Sequence, residues 1–353
     1  MKKGILFCSL MAASMCAIAQ SEVTDYTPGV NAEGVTYFLP RTIVEVTVET
    51  VQEVYTPGEF SQYANKYLRL SGVSQTPSTS WQVTALTVTP VGVRDPERGF
   101  TVKMRDKSLA SLMELNDEGV LLSINEVPTD EAPQLAEPVE TPVVAANPKD
   151  FLNEEILTTT STAKMAELVA KEIYTIRESR NAILRGQADN VPKDGEALRI
   201  ILRNLQEQED ALVAMFKGTT KRTVHETVVQ LEPSKTGIGE GVLFRFSRKL
   251  GVVSADDLSG TPYYYRMENH TILPQPDEKK ASKAKRPSGI VYCVPGKATL
   301  RISTAQSTVF DDEIPVAQYG HVDVLSTSLF QQQKATRITF DPATGAIRHI
   351  TRP

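Results

Sequence analysis

Cysteine is scarce in this chain. Its 353 residues contain three, and Cys8 and Cys16 both fall near the N-terminus. Cys293 is then alone in the body of the chain, so no intramolecular disulfide is available there. A chain of this length can bury ample apolar surface without one. Histidine is also rare. His225, His270, His321 and His349 stand far apart, and neither His-Glu-x-x-His nor Cys-x-x-Cys occurs, so no metal site and no cofactor is expected. The nucleophile signatures are missing as well, with no Gly-x-Ser-x-Gly elbow and no serine–lysine pattern, and no catalytic residue is assigned. Basic charge is not in excess. The formal net charge of −5 argues against a nucleic-acid partner, which calls for a positive face. After the N-terminus no apolar run approaches the roughly 20 residues of a membrane span, so no transmembrane segment is expected.

What is present begins with Lys2 and Lys3, an apolar run from Ile5 to Ile18, and the small-residue exit Ala17-Ile18-Ala19. This reads as a secretory signal peptide, residues 1–19. Phe7 and Met15 precede the two early cysteines, where a lipid-anchored protein needs a small residue. Loss of the two lysines takes the charge of −5 to −7. The expectation is an exported protein, periplasmic or associated with an outer membrane.

From Asp150 to Gly218 the apolar period is helical. Met165, Val169, Ile173, Ile176, Ile183 and Leu184 lie on one stripe, and Leu198, Ile201, Leu202, Leu205, Leu212, Met215 and Phe216 on another. Gly186 and Gly218 stand where each run stops. The short connection from Gln187 to Asp194 predicts an antiparallel hairpin.

On either side the period is two. Ile43, Glu45, Thr47 and Glu49 alternate with Val44, Val46 and Val48, a half-exposed strand. Pro57-Gly58 ends it, and Glu59 to Leu68 has the spacing of a short helix. Trp81 to Val93 and Phe100 to Met104 read as strands joined by the turn Arg94–Gly99. Leu112 to Leu115 and Val120 to Ile124 form a β-hairpin. Residues 126–148, rich in Pro, Glu, Ala and Thr, read as a linker or mobile loop. After the helices, strands are predicted over Arg222–Leu231, Gly241–Arg248 (Val242, Phe244 and Phe246 on one face), Pro262–Glu268, Gly289–Val294, Lys297–Ser303, Ser307–Phe310 and His321–Leu325. Arg337–Phe340 and Ala346–Ile350 then close a second hairpin around Asp341–Gly345. The two similar hairpins hint at a duplicated β-domain.

The fold expected is mainly β with α: two antiparallel, sandwich-like β regions with an antiparallel helical hairpin between them. The divisions are 20–125, an N-terminal β-rich domain; 126–148, the linker; 149–218, the hairpin; and 219–353, a C-terminal β-rich domain. Gly34–Pro40, Pro57–Ala64, Gly289–Gly296 and Thr339–Ile347 resemble a family of exported Bacteroidetes proteins known as a domain of unknown function. The resemblance spans nearly all of the chain beyond the signal segment and implies export. It assigns no activity.

Several residues invite a chemical reading. Cys293 sits inside the apolar stretch Ile290–Val294 and reads as a buried cysteine, because a reactive thiol needs an accessible, electropositive setting. Asp256-Asp257 and Asp311-Asp312-Glu313 read as surface turns rather than a glycosidase pair. Lys235 to Gly241 reads as a flexible hairpin connection, and the cluster from Lys279 to Arg286 as a solvated loop. Trp81 reads as core. Tyr263, Tyr264 and Tyr265 offer rings to a ligand, although a strand turns one side inward. Leu202 and Leu205 offer a partner surface if their stripe is not packed internally. By elimination the expected role is a non-enzymatic envelope protein that binds a protein partner or joins an assembly. The alternatives are a carbohydrate-binding or carbohydrate-processing protein, and a hydrolase with dispersed catalytic residues. An exposed aromatic beside a groove favours carbohydrate; a flat apolar helix face favours a protein partner.

Overall fold

The computed structural model describes residues 22–29, 34–103, 113–126, 147–188, 195–272, 289–326 and 336–352. The signal segment, nearly all of the stretch 126–148, most of the connection 187–194 and the lysine-rich segment 277–287 lie outside the described residues.

In chain order the elements are β1 (Glu22–Asp25), β2 (Val35–Thr56), α1 (Ala64–Leu68), β3 (Ser78–Lys103), β4 (Met113–Leu115), β5 (Leu121–Ile124), α2 (Glu154–Thr158), α3 (Thr162–Leu184), α4 (Gly195–Lys217), β6 (Thr219–Leu231), β7 (Ile238–Ser247), β8 (Gly251–Val253), β9 (Thr261–Asn269), β10 (Gly289–Ser303), β11 (Thr308–Ser326), β12 (Arg337–Phe340) and β13 (Ile347–Thr351). About 51% of the described residues are strand and 24% helix. The mainly β expectation therefore holds.

The sequence predicts a turn at Arg94–Gly99 between two strands; the backbone stays paired through it as one strand. β2 runs for 22 residues and β3 for 26, and their pairing jumps from Phe38↔Gly99 to Pro40↔Arg94. Residues 95–98 lie against Leu39 alone, a surplus accommodated as a special bulge. Arg98 holds it, donating from Nε to Asp95 Oδ2 at 2.8 Å and from Nη2 to the Pro40 carbonyl at 3.0 Å. Pro96 thus sits where no ladder N–H is required. The same reasoning merges Gly289–Val294 with Lys297–Ser303, because β10 shifts register around Pro295 and continues. In β7 a shift between Val242 and Phe244 breaks strict alternation. Leu243 and Phe244 are both buried, and Val242 leaves the inward face predicted for it.

Among the described residues three antiparallel sheets result, ordered β1-β3-β2-β6, β11-β10-β9-β7-β8 and β13-β12-β5-β4. Val44, Val46 and Val48 of the first pack against Phe244, Met267, Leu300, Ile302 and Val316 of the second, forming the sandwich core. A second core joins Tyr37, Leu39 and Val102 to Ile290, Leu325, Ile338 and Phe340. The division at 125 and 219 is crossed by strand pairing. β6 lies along β2 from Val44↔Leu231 to Thr56↔Thr219, and β5 meets β12 at Ile124↔Ile338. The two similar hairpins, β4–β5 and β12–β13, lie side by side in one sheet. Residues 235–241 turn and then enter β7. They carry the chain from the first sheet to the second instead of closing a hairpin.

The helices hang from the far end of β2 and β6. Phe60 N donates to Met215 O at 2.8 Å, and a Cβ at Gly58 would fall 2.3 Å from that carbonyl, so only glycine passes there. Gly186 and Gly218 take the predicted left-handed turn, with φ of 67° and 82°. Val169, Ala170, Ile173 and Ile176 of α3 pack on Leu212, Met215 and Phe216 of α4 together with Phe60, Leu68 and Ile156. Past Ile176 the stripe of α3 fades, and Leu184 is exposed.

Candidate functional site

Three of the four segments that carry the family resemblance meet in space, but in a closed joint. The Tyr37 hydroxyl donates to the Val291 carbonyl at 3.0 Å and accepts from the Val291 N–H at 2.8 Å. Cys293 N donates to Gly345 O, and Cys293 Sγ to Ala317 O at 3.4 Å. Gly345 has φ of 72°, and a Cβ there would press on Pro40 and Cys293. The space left among Phe38, Pro40, Val291, Phe340 and Gly345 is about 10 Å³, room for one water at most. Burial pushes the Cys293 thiol up, with the Arg98 guanidinium opposing part of the shift. A protonated, enclosed thiol is no nucleophile. The fourth segment, Pro57–Ala64, is the helix joint already described.

The other flagged residues separate. Trp81 is half-buried at an end of the sandwich, beside His225 at 4.8 Å between ring centroids and against Gly251. His321 and His349 are exposed on different sheets, and among the described residues no group of acids, histidines or cysteines has metal-binding geometry. Asp257 closes a surface turn by accepting from Ser259 N at 2.9 Å; that bond lowers its pKa. Asp311-Asp312-Glu313, expected as a turn, lies instead on the edge strand β11, because β11 stays paired to β10 along this stretch. Leu205 packs against the helical core and Leu202 is half-buried. The helix stripe is therefore turned largely inward.

The tyrosine strand divides as its period requires. Tyr263 and Tyr265 pack against the sandwich core. Tyr263 stacks on Phe244 at 4.4 Å between centroids, with the rings 17° from parallel. Tyr264 faces outward and is 44% exposed. It begins a polar row continued by Arg266 and Glu268. On β10 the outward partners are Ser303, opposite Tyr264; Arg301, opposite Arg266; and Thr299, opposite Glu268. β7 adds Val242 and Glu240, and β11 adds Asp311 and Glu313. Glu240, Arg266, Arg301 and Asp311 thus form one line across four strands. Arg266 Nε donates to Glu268 Oε1 at 2.5 Å. Arg301 donates from Nε and Nη2 to Asp311 Oδ2 at 3.0 and 2.7 Å, which raises its pKa further. Lys297 meets Glu313, and His270 Nε2 lies 2.9 Å from Thr299 Oγ1.

The two arginines separate two open depressions. One is lined by Glu240, Tyr264 and Ser303, the other by Glu268, His270 and Thr299. Sequence reasoning singled out Tyr264 and passed over Arg266, Glu268 and Arg301. The signal was present as alternating polar residues, Tyr264-x-Arg266-x-Glu268-x-His270 and Lys297-x-Thr299-x-Arg301-x-Ser303. It reads as an ordinary solvated face until the pairing of β9 with β10 is known.

Residues 33–348 match the family model described as Domain of unknown function (DUF4831), and the chain belongs to that family. No curated protein and no solved structure matches it. Among the described residues no helix is long and apolar enough to cross a membrane.

Proposed function

We propose that this member of the family is an exported binding protein of the cell envelope, with no catalytic step of its own, and that it meets its ligand or partner on the outer face of the five-stranded sheet. The observation that carries this reading is the cross-strand line Glu240–Arg266–Arg301–Asp311 with Tyr264 beside it. Ladder hydrogen bonds fix the backbone beneath these side chains, and ion pairs fix several of the side chains. A surface ordered before binding loses less conformational entropy on association. Lys2, Lys3, the apolar run and Ala17-Ile18-Ala19 support export.

Affinity capture from the native envelope, with the full chain and with an Arg266→Ala/Arg301→Ala double variant, tests the reading. The expected outcome is that material retained by the wild type, protein or glycan, is lost with the variant while the fold is kept. Identical retention by both forms sinks the assignment of this face. Recovery of the pre-protein with Met1 intact and no exported form sinks the assignment to the envelope.

A further inference from the structure

We infer that this face takes a neutral, polyhydroxylated ligand: a stretch of glycan laid across β9 and β10 with one sugar ring against Tyr264. The inference rests on the outer face being the contact surface and adds the chemical class of what it contacts.

Charge decides among the classes. The outward groups on the four strands include three cations, Arg266, Lys297 and Arg301, against four carboxylates, Glu240, Glu268, Asp311 and Glu313. An extended polyanion would meet the carboxylates wherever it met the arginines, and nucleic acid is excluded on the same ground. A cationic ligand faces the converse repulsion. A protein partner prefers an interface core depleted in charge, whereas charge is densest in the middle of this face. Hydroxyl groups suit it, because each both donates and accepts. An arginine–carboxylate pair presents free N–H donors beside carboxylate lone pairs, so two neighbouring hydroxyls can engage both members without breaking the pair. Arg266 spends Nε on Glu268, and Arg301 spends Nε and Nη2 on Asp311; a guanidinium carries five N–H donors.

Shape agrees with charge. Tyr264 stands between two shorter side chains, Val242 and Ser303, on the neighbouring strands, which leaves its ring open to the C–H face of a pyranose. From Tyr264 to Glu268 the outward row spans roughly 13 Å along the strand, with a depression on each side of the arginines. Such a surface fits an extended chain of sugars better than a single small molecule.

Affinity electrophoresis of the full chain through gels containing xyloglucan, α-mannan, dextran or polygalacturonate, or no polysaccharide, tests the class. Titration calorimetry with an oligosaccharide of the retarding polymer follows. The expected result is retardation by at least one neutral polymer and none by polygalacturonate. Tyr264→Ala should weaken binding about tenfold and Arg301→Ala should weaken it further. Thr87→Ser, on the other sheet, serves as control. Tyr264 is exposed, so its variant should keep the wild-type Tm, which is checked directly. Retardation by polygalacturonate alone, no retardation by any polymer, or undiminished binding by Tyr264→Ala each overturns the inference. If the envelope capture above still depends on Arg266 and Arg301 while every glycan fails, the binding-protein reading survives and the glycan class alone is wrong.

Discussion

The Gln318 side-chain amide takes the place of a strand beside Thr42. Thr42 N donates to Gln318 Oε1 at 2.9 Å, and Gln318 Nε2 donates to Thr42 O at 2.7 Å. The substitution is needed because β6 ends at Leu231, opposite Val44, and Glu232-Pro233 follows. Proline has no N–H to continue the ladder. The Thr42 hydroxyl completes the joint by donating to Ala343 O and accepting from Ala317 N. Gln318→Leu should leave two buried backbone groups unpaired and cost about 2–6 kcal/mol, since each such group costs about 1–3 kcal/mol. Urea denaturation measures it. An unchanged midpoint would mean that water or a neighbouring group replaces the amide without loss.

The helical stripe gives a graded prediction. Leu212 is fully buried and Leu205 packs at the margin of the same core. Leu212→Ala should cost about 2–5 kcal/mol from lost transfer energy and the cavity left behind, and Leu205→Ala less. Both should lower the Tm of the isolated chain. If Leu205→Ala leaves Tm alone but abolishes capture of an envelope protein, the stripe is a partner surface after all.

The same two helices are tied by a shared carboxylate. Glu209 accepts from Arg177 Nε and from Arg180 Nη1, each at 2.7 Å, with its side chain 9% exposed. Glu209→Ala removes the acceptor from two partly exposed guanidiniums. Loss of one partner of a buried pair costs about 3–5 kcal/mol; because the arginines reach solvent, about 1–3 kcal/mol is expected here. The loss should persist in high salt, since screening weakens exposed pairs far more than enclosed ones. A loss that vanishes with added salt would place Glu209 at the surface.

Local period and punctuation were legible in the sequence. The alternation around Val44, the two helices and their glycine stops, and the paired hairpins all follow from spacing. What was not legible depended on distant pairing. The turn Arg94–Gly99, with Pro96 inside it, looks like a strand break, yet a bulge closed by Arg98 lets β3 continue through it. The partner of β2 beyond β3 is a strand from after the helices, because the chain returns from α4 at the point where β2 ended. For the candidate site, Tyr264 was visible as one of three tyrosines. Arg266 and Arg301 acquire meaning only from the register that sets them opposite each other. Like charges directly opposite are destabilising on their own, and here each arginine is offset by a carboxylate, Arg266 by Glu268 and Arg301 by Asp311.

Tyr37 supplies a pH dependence whose sign is fixed by burial. Its ring is fully buried, and loss of solvation pushes the phenol well above its ordinary value of 10.0, with the Val291 hydrogen bond opposing only part of the shift. In the unfolded chain the phenol ionises near 10; in the folded chain it holds its proton. The stabilisation is therefore complete below pH 10 and is lost as pH rises from there toward the folded value, because the unfolded state alone releases the proton. The slope should approach about 1.4 kcal/mol per pH unit for this one group. Tyr37→Phe should be less stable at neutral pH, where the two bonds to Val291 are missing, and should show a shallower alkaline decline. Urea midpoints for both forms between about pH 9 and about pH 12 separate the two effects. Parallel curves for wild type and variant would show that Tyr37 titrates freely, and that the closed joint between β2 and β10 opens below the pH at which its phenol should ionise.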